Sequence, residues 1–296
     1  WRINVATRNW LVMSILVTGA TGGFGSIFVK WLQENKSGPI WRTGKRQLAE
    51  EGYYPCDLTD THATRILIAK LRPRTIFHMA GNFTNAYDLD YSINSLGARH
   101  IIEALVEESI DARVILIGSA AEYGVVLPEE NPIRESRVLR PVSVYGLTKA
   151  FQTQLGIYFA NNSSVEVVIA RMFNLLAPGL SERLFMGSVQ KQIAAYVRGD
   201  TREIVVGNLD SQRDYVSVDQ AVEQLNMIAT RGKSGEVYHV ASGKPVIMRQ
   251  LLHKLMADAG LDLSNVNENI GAVGRPGYDV PAIFADMTKT SNLWML

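Results

Sequence analysis

The chain has 296 residues, 47% of them hydrophobic and 20% charged, enough to bury a large core and unlike a disordered chain. Thirty basic against twenty-nine acidic residues leave a formal charge of +1, so nothing in the overall balance points to a nucleic-acid or polyanion binder. The single cysteine, Cys56, excludes an internal disulfide and fits a reducing cytoplasm, and no apolar run is long enough to span a bilayer.

Residues 1–12 show no convincing secretory pattern and read as a natural extension or an appended remnant, with Met13 directly before the first strand. The stretch SILVTGATGGFGSIFVKWLQEN follows. An apolar run ends at Val17, and Gly19, Gly22 and Gly25 come at intervals of three. Then Ile27, Phe28, Trp31 and Leu32 form a helical stripe. Strand, glycine turn and helix in that order predict a dinucleotide site. The glycines permit a tight turn, close approach to a pyrophosphate and close helix–strand packing, and the helix N-terminus offers free N–H groups. Thr21, Gly23 and Phe24 lie in the same turn.

A second strand, GPIWRTG, ends at Arg42, Lys45 and Arg46. These suit a ribose 2′-phosphate and so favour NADPH, with NAD(H) as the other candidate; the same residues also read as an exposed basic turn. Asp57, after a third apparent strand, either accepts from an adenine amino group or caps the following helix, ATRILIAKLR. TIFHMAG reads as a strand, SINSLGARHIIEALVEE as one long helix, ARVILIGSAAEYG as a strand, VYGLTKAFQTQLGIYFANN as a helix, and VEVVIARMFN as the sixth strand. This alternation predicts an α/β fold, a doubly wound, Rossmann-like parallel sheet with helices on both faces. Ligands then bind beyond the carboxyl ends of the strands. There Leu58, Met79, Ala80, Gly81 and Met172 gather around one crevice.

Tyr145 and Lys149 are spaced i,i+4 and share a helix face. Ser119 ends the strand immediately before that helix, so the three can converge beside a nicotinamide. Reducing a ketone requires a proton at its oxygen. A phenol of pKa about 10 serves poorly at neutral pH unless tuned; a nearby ammonium lowers it, and a serine hydroxyl holds the carbonyl.

TGATGGFG, CDLTD, HMAG, GSAAEYG, YGLTK, ARMFN, VGNLDSQRDYVSVDQ and RPGYDVP together resemble the extended short-chain dehydrogenases/reductases that act on nucleotide sugars. The resemblance runs from residue 14 almost to the C-terminus. It implies Tyr145 as catalytic acid/base, Lys149 as its pKa-lowering and ribose-binding partner, and Ser119 as the group that polarises the substrate carbonyl. It further implies a nucleotide-sugar site that includes Phe83, Asn174, Lys191, Arg213 and Arg275. The two arginines suit a diphosphate, although ion pairs with Asp214 and Asp279 are the plainer reading.

The resemblance also implies two discontinuous parts. One is an NADP-binding domain from residues 13–173 plus about 213–241; the other is a substrate lobe from about 174–212 plus 242–296. A homodimer joined through a four-helix bundle is expected, with no nucleic-acid, membrane or metal partner. Ala120 and Ala121 cannot move protons, which argues against a 4,6-dehydratase. VGNLDSQRDYVSVDQAV with RPGYDVPAIFADMTK looks most like the GDP-4-keto-6-deoxy-D-mannose reductases, which form GDP-D-rhamnose. The alternatives are a nucleotide-sugar 4-epimerase and a catalytically silent NADPH-binding sensor or scaffold.

Overall fold

The computed structural model describes residues 14–36, 38–177, 179–269 and 280–295. Arg275 and Asp279, with most of the RPGYDVP motif, lie outside the described residues, as do residues 1–13. The order begins β1 (Ile15–Thr18), α1 (Gly23–Asn35), β2 (Ile40–Gly44), β3 (Tyr53–Pro55), α2 (Thr61–Leu71), β4 (Thr75–His78) and α3 (Tyr87–Tyr91). It continues with α4 (Gly97–Glu107), β5 (Arg113–Ser119), α5 (Val144–Asn162), β6 (Glu166–Met172), β7 (Asn174–Leu176) and α6 (Phe185–Val197). Then come β8 (Ile204–Val206), β9 (Gln212–Ser217), α7 (Val218–Arg231), β10 (Val237–Val240), β11 (Pro245–Ile247), α8 (Met248–Asp258), β12 (Val266–Glu268) and β13 (Ala282–Ile283).

Seven strands pair in parallel in the order β10-β6-β5-β4-β1-β2-β3. The strand order reverses between β1 and β4, which opens a crevice at their carboxyl ends. Both faces of the sheet are covered, so alternate residues of one strand enter different cores. Ile15 and Val17 pack with Phe28, Leu32, Val222 and Leu225 on the α1/α7 face. Leu16 packs with Ile68, Ile101 and Leu105 on the face of α2, α4 and α5. This explains why β1 reads as a continuous apolar run rather than an alternating one.

Two sequence expectations change, and one strand of the large sheet is new. The long helix over residues 92–108 contains a π-helical turn, Ser92–Leu96, before α4. That wider turn brings two polar side chains onto α5: Asn94 Nδ2 donates to Thr148 Oγ1 at 3.0 Å, and Ser95 Oγ donates to the Thr148 carbonyl at 2.9 Å. The GSAAEYG strand stops at Ser119, and Ala120–Tyr123 forms a 3-10 turn because the Ser119 and Glu122 side chains satisfy its backbone N–H groups. β10 was not anticipated; its short VYHV run carries a histidine that interrupts the apolar pattern.

Outside the large sheet, β9 pairs with β7, β11 and β13, and β8 pairs with β12. α6 and α8 pack there through Met186, Val189, Leu251, Leu252 and Met256. Among the described residues, no helix is long and apolar enough to cross a membrane.

Candidate active site

The glycine turn is built by close contacts. Gly19 has φ +64°, and a Cβ there would stand 2.6 Å from the Ala80 nitrogen at the end of β4. A Cβ on Gly25 would fall 2.2 Å from the Gly19 carbonyl oxygen, so only glycine lets α1 approach β1. Gly22 is the N-cap of α1; no side chain caps that end, and its first turn holds no acidic residue. Exposed N–H groups and a partial positive charge therefore face the crevice, which fits a pyrophosphate. Thr21 flanks the turn beside Gly44, Gly23 lies exposed at the start of α1, and Phe24 packs inward against Phe28. Thr18 Oγ1 accepts from the Ala80 N–H at 3.1 Å, joining the ends of β1 and β4. Met79, Gly81 and Met172 lie at the strand ends around the same crevice, whereas Leu58 is buried against α4.

The basic turn after β2 is partly committed. Arg42 donates to Glu50 Oε2 at 2.8 Å and to the Glu51 carbonyl at 2.7 Å. Lys45 pairs with Asp57 at 2.9 Å, and Arg46 is exposed. Asp57 does not cap α2: Asp60 does, accepting from the Ala63 N–H at 3.0 Å. Asp57 instead accepts from the Thr59 N–H and hydroxyl at 3.0 and 2.8 Å, and with Lys45 these hold its carboxyl below the usual range against the opposing effect of burial.

Ser119 and the start of α5 meet because a Cβ on Gly146 would stand 2.4 Å from the Ala121 carbonyl oxygen, so the helix seats directly on the 3-10 turn. Burial raises the Tyr145 phenol above its ordinary pKa, and its hydrogen bond with Ser119 pulls the other way. The Phe83 ring lies edge-on to Tyr145 at 4.8 Å. Lys149 is only 4% exposed, and burial lowers its ammonium to about 8 while Glu122 partly offsets that effect. Its Nζ donates to Gln152 Oε1 at 2.6 Å. Burial is thus the largest influence on the phenol here, and the Lys149 ammonium is hydrogen-bonded to Gln152, on the side of the lysine away from Tyr145 along α5.

Sequence reading missed the polar network behind this site. Glu122, fully buried, accepts from the Ser119 N–H at 2.7 Å, from Thr153 Oγ1 at 2.8 Å, and from Arg171 Nε and Nη2 at 3.1 and 2.8 Å. Arg171 Nη1 donates to Tyr123 Oη at 2.8 Å, and Tyr123 Oη bonds to His239 Nε2 at 2.5 Å. Burial pushes the Tyr123 phenol up to about 12 and His239 down to about 3. The signal was an arginine inside an apolar strand and a glutamate in the small apolar stretch just after another, each of which demands a partner when buried.

Substrate-lobe residues take distinct places. Asn174 Nδ2 donates to the Asp214 carbonyl at 3.1 Å, across the β7–β9 pair. Lys191 is exposed and pairs with Glu182 at 2.5 Å. Arg213 Nη1 donates to the Gln212 and Val280 carbonyls at 2.9 and 2.6 Å. The plainer reading of Arg213 as the ion partner of Asp214 gives way, because neighbours on a strand face opposite sides. Asp214 is fully buried and accepts from the Ser242 N–H and hydroxyl and from the Gly243 and Ala285 N–H groups, at 2.6 to 3.2 Å.

The chain is 28% identical over 177 residues to GDP-6-deoxy-D-mannose reductase of Pseudomonas aeruginosa, a match spanning 60% of this chain and 58% of that protein. It is 24% identical over 285 residues to GDP-6-deoxy-D-talose 4-dehydrogenase of Aggregatibacter actinomycetemcomitans, covering 95% and 91% of the two chains. In fold it is similar to RMD from Pseudomonas aeruginosa, solved with NADPH, with a TM-score of 0.79 at 22% identity over 95% of this chain and 91% of that one. The model of the NAD dependent epimerase/dehydratase family matches residues 15–241, and the chain belongs to that family.

Proposed function

We propose that this protein is an NAD(P)H-dependent reductase of a nucleotide-linked 4-keto-6-deoxy sugar, with NADPH preferred and GDP-4-keto-6-deoxy-D-mannose as the substrate, giving GDP-D-rhamnose. The observation that carries the reading is the commitment of Glu122. Its oxygens are occupied by Arg171, Thr153 and the Ser119 N–H, and its neighbours are Ala120 and Ala121. Water elimination needs a carboxylate that can exchange protons with substrate, and this turn supplies none. Ser119 and Tyr145 remain as the hydrogen-bonded pair that handles the proton.

The nicotinamide, when bound, supplies the hydride. Ser119 orients the sugar carbonyl, Tyr145 gives its phenolic proton to the carbonyl oxygen, and Lys149 stabilises the phenolate that results. Lys45 and Arg46, exposed beside the glycine turn, support a cofactor carrying a 2′-phosphate. The Pseudomonas aeruginosa relative, named for a GDP-6-deoxy-D-mannose activity, supports the sugar class.

The test is incubation of the purified protein with NADPH and a panel of nucleotide-linked 4-keto-6-deoxy sugars. One NADPH consumed per product is expected, with no interconversion of UDP-glucose and UDP-galactose. Tightly retained NAD with isomerisation and no net NADPH oxidation would establish a 4-epimerase instead. NADPH binding without turnover of any sugar would leave the silent sensor.

A further inference from the structure

Tyr145, Lys149 and Gln152 occupy i, i+4 and i+7 on α5, so all three lie on one face with the lysine between the other two. Tyr145 and Gln152 are separated by about 10 Å along the helix axis, a span that one lysine side chain pivoting at its Cα covers in both directions. Gln152 is 1% exposed, its Oε1 accepts from Lys149 Nζ at 2.6 Å, and its Nε2 has no hydrogen-bond partner. The ammonium lies beneath the end of β4, where a Cβ on Gly81 would stand 3.8 Å from it. A buried carboxamide using only its acceptor, on a lysine otherwise assigned to cofactor and phenol, has no role in the mechanism above.

We infer that Gln152 is a positioning residue for Lys149, a neutral acceptor that keeps the buried ammonium charged and hydrogen-bonded at a second station from which it remains free to swing toward Tyr145. Neutrality matters here. A carboxylate at the same place would form a buried ion pair and hold the lysine against leaving. An apolar side chain would leave the ammonium unsolvated and favour its loss of a proton.

The other charged and titratable groups around Lys149 do not replace this role. Glu122 on the 3-10 turn is taken by Arg171 of β6, and His78 of β4 is held neutral by burial and by Lys149 itself. Asp90 of α3 is taken by Asn82, Thr84 and Asn85. Tyr145, on α5 itself, is protonated at neutral pH.

The inference rests on the assignment of Lys149 to the cofactor site, and its test is independent of any sugar. In full-length protein labelled with 13C- and 15N-lysine, the Lys149 side-chain signal is assigned through Lys149→Met and followed against pH in wild type, Gln152→Glu and Gln152→Met. Both Gln152 variants keep the side chain's length, and thermal unfolding checks that they fold. The midpoint should rise by about 1–3 pH units in Gln152→Glu and fall in Gln152→Met. NADPH and NADH affinity, read by nucleotide fluorescence, should weaken in Gln152→Glu at pH 7 because the lysine is held away. The same Lys149 midpoint in all three proteins would overturn the inference. Wild-type protein that binds neither nucleotide would overturn the cofactor assignment separately.

Discussion

The Glu122 carboxylate and the Arg171 guanidinium form an ion pair 2.8 Å apart with side chains 0% and 2% exposed, directly behind the serine of the candidate site. The pair fastens three elements to one another: the 3-10 turn after β5, α5 through Thr153, and β6. Breaking a buried pair by removing one partner costs about 3–5 kcal/mol, because the remaining charge stays out of water. Arg171→Leu is therefore expected to lower the unfolding free energy in urea by that amount, and Glu122→Leu added to it should recover part of the loss. An unchanged urea midpoint in the single variant would show that water reaches the carboxylate.

Tyr145→Phe should reduce turnover of the keto sugar by about 10²–10⁴-fold, the usual range for losing a general acid. NADPH affinity should change little, since the proposed reading leaves the nucleotide to the glycine turn and Lys149. Wild-type turnover in this variant would remove Tyr145 from the proton step.

Neutralising Lys45 and Arg46 together should weaken NADPH at least about tenfold more than NADH, because each charge-assisted contact to a phosphate contributes about 1.5–3 kcal/mol. Lys45 also pairs with Asp57, so Asp57→Asn should release it and tighten NADPH slightly. Fluorescence titration with both nucleotides measures the ratio; equal loss for the two would refute the 2′-phosphate role.

His78 and His239 are fully buried, and burial holds each at about 3. In the unfolded chain both titrate near about 6.5. Between those values the unfolded state binds two protons that the native state refuses, so their stabilisation is present above pH 6.5 and is lost as pH falls toward 3. The slope is about 1.4 kcal/mol per pH unit for each histidine. Urea unfolding at pH 7, 6 and 5 checks it; His78→Asn should remove one histidine's share of the slope, and an unaltered slope would contradict the burial argument.

The outer face of α3 and α5 carries exposed aromatic side chains, among them Tyr87, Phe151 at 40% and Tyr158 at 59% exposure. Tyr91, Arg99, Phe151, Leu155 and Tyr158 line a groove of about 480 Å³ there. A two-fold contact through this face is expected to make a homodimer, as such self-complementary interfaces commonly do. Light scattering should give a dimer for wild type and a monomer for Tyr158→Glu; a monomeric wild type at micromolar concentration would refute it.

What the sequence determined by itself rests on local patterning. The apolar run before Gly19, the three-residue glycine spacing and the stripe of Phe28 and Leu32 define a strand, a tight turn and a helix without reference to the rest of the chain. Likewise the i,i+4 relation of Tyr145 and Lys149 follows from helical period alone. Repetition of strand and helix then restricts the sheet to a parallel, doubly covered one.

Other features depended on partners distant in the chain. The π-helical turn at Ser92–Leu96 exists where Asn94 and Ser95 meet Thr148, more than fifty residues later. Asp57 reads from the sequence as a cap for α2, and the path of the chain into that helix puts Asp60 there instead. The site's electrostatics were likewise decided by tertiary structure. A lysine's station, a phenol's pKa and a glutamate's availability all follow from which groups burial forces to share hydrogen bonds, and no spacing rule carries that information.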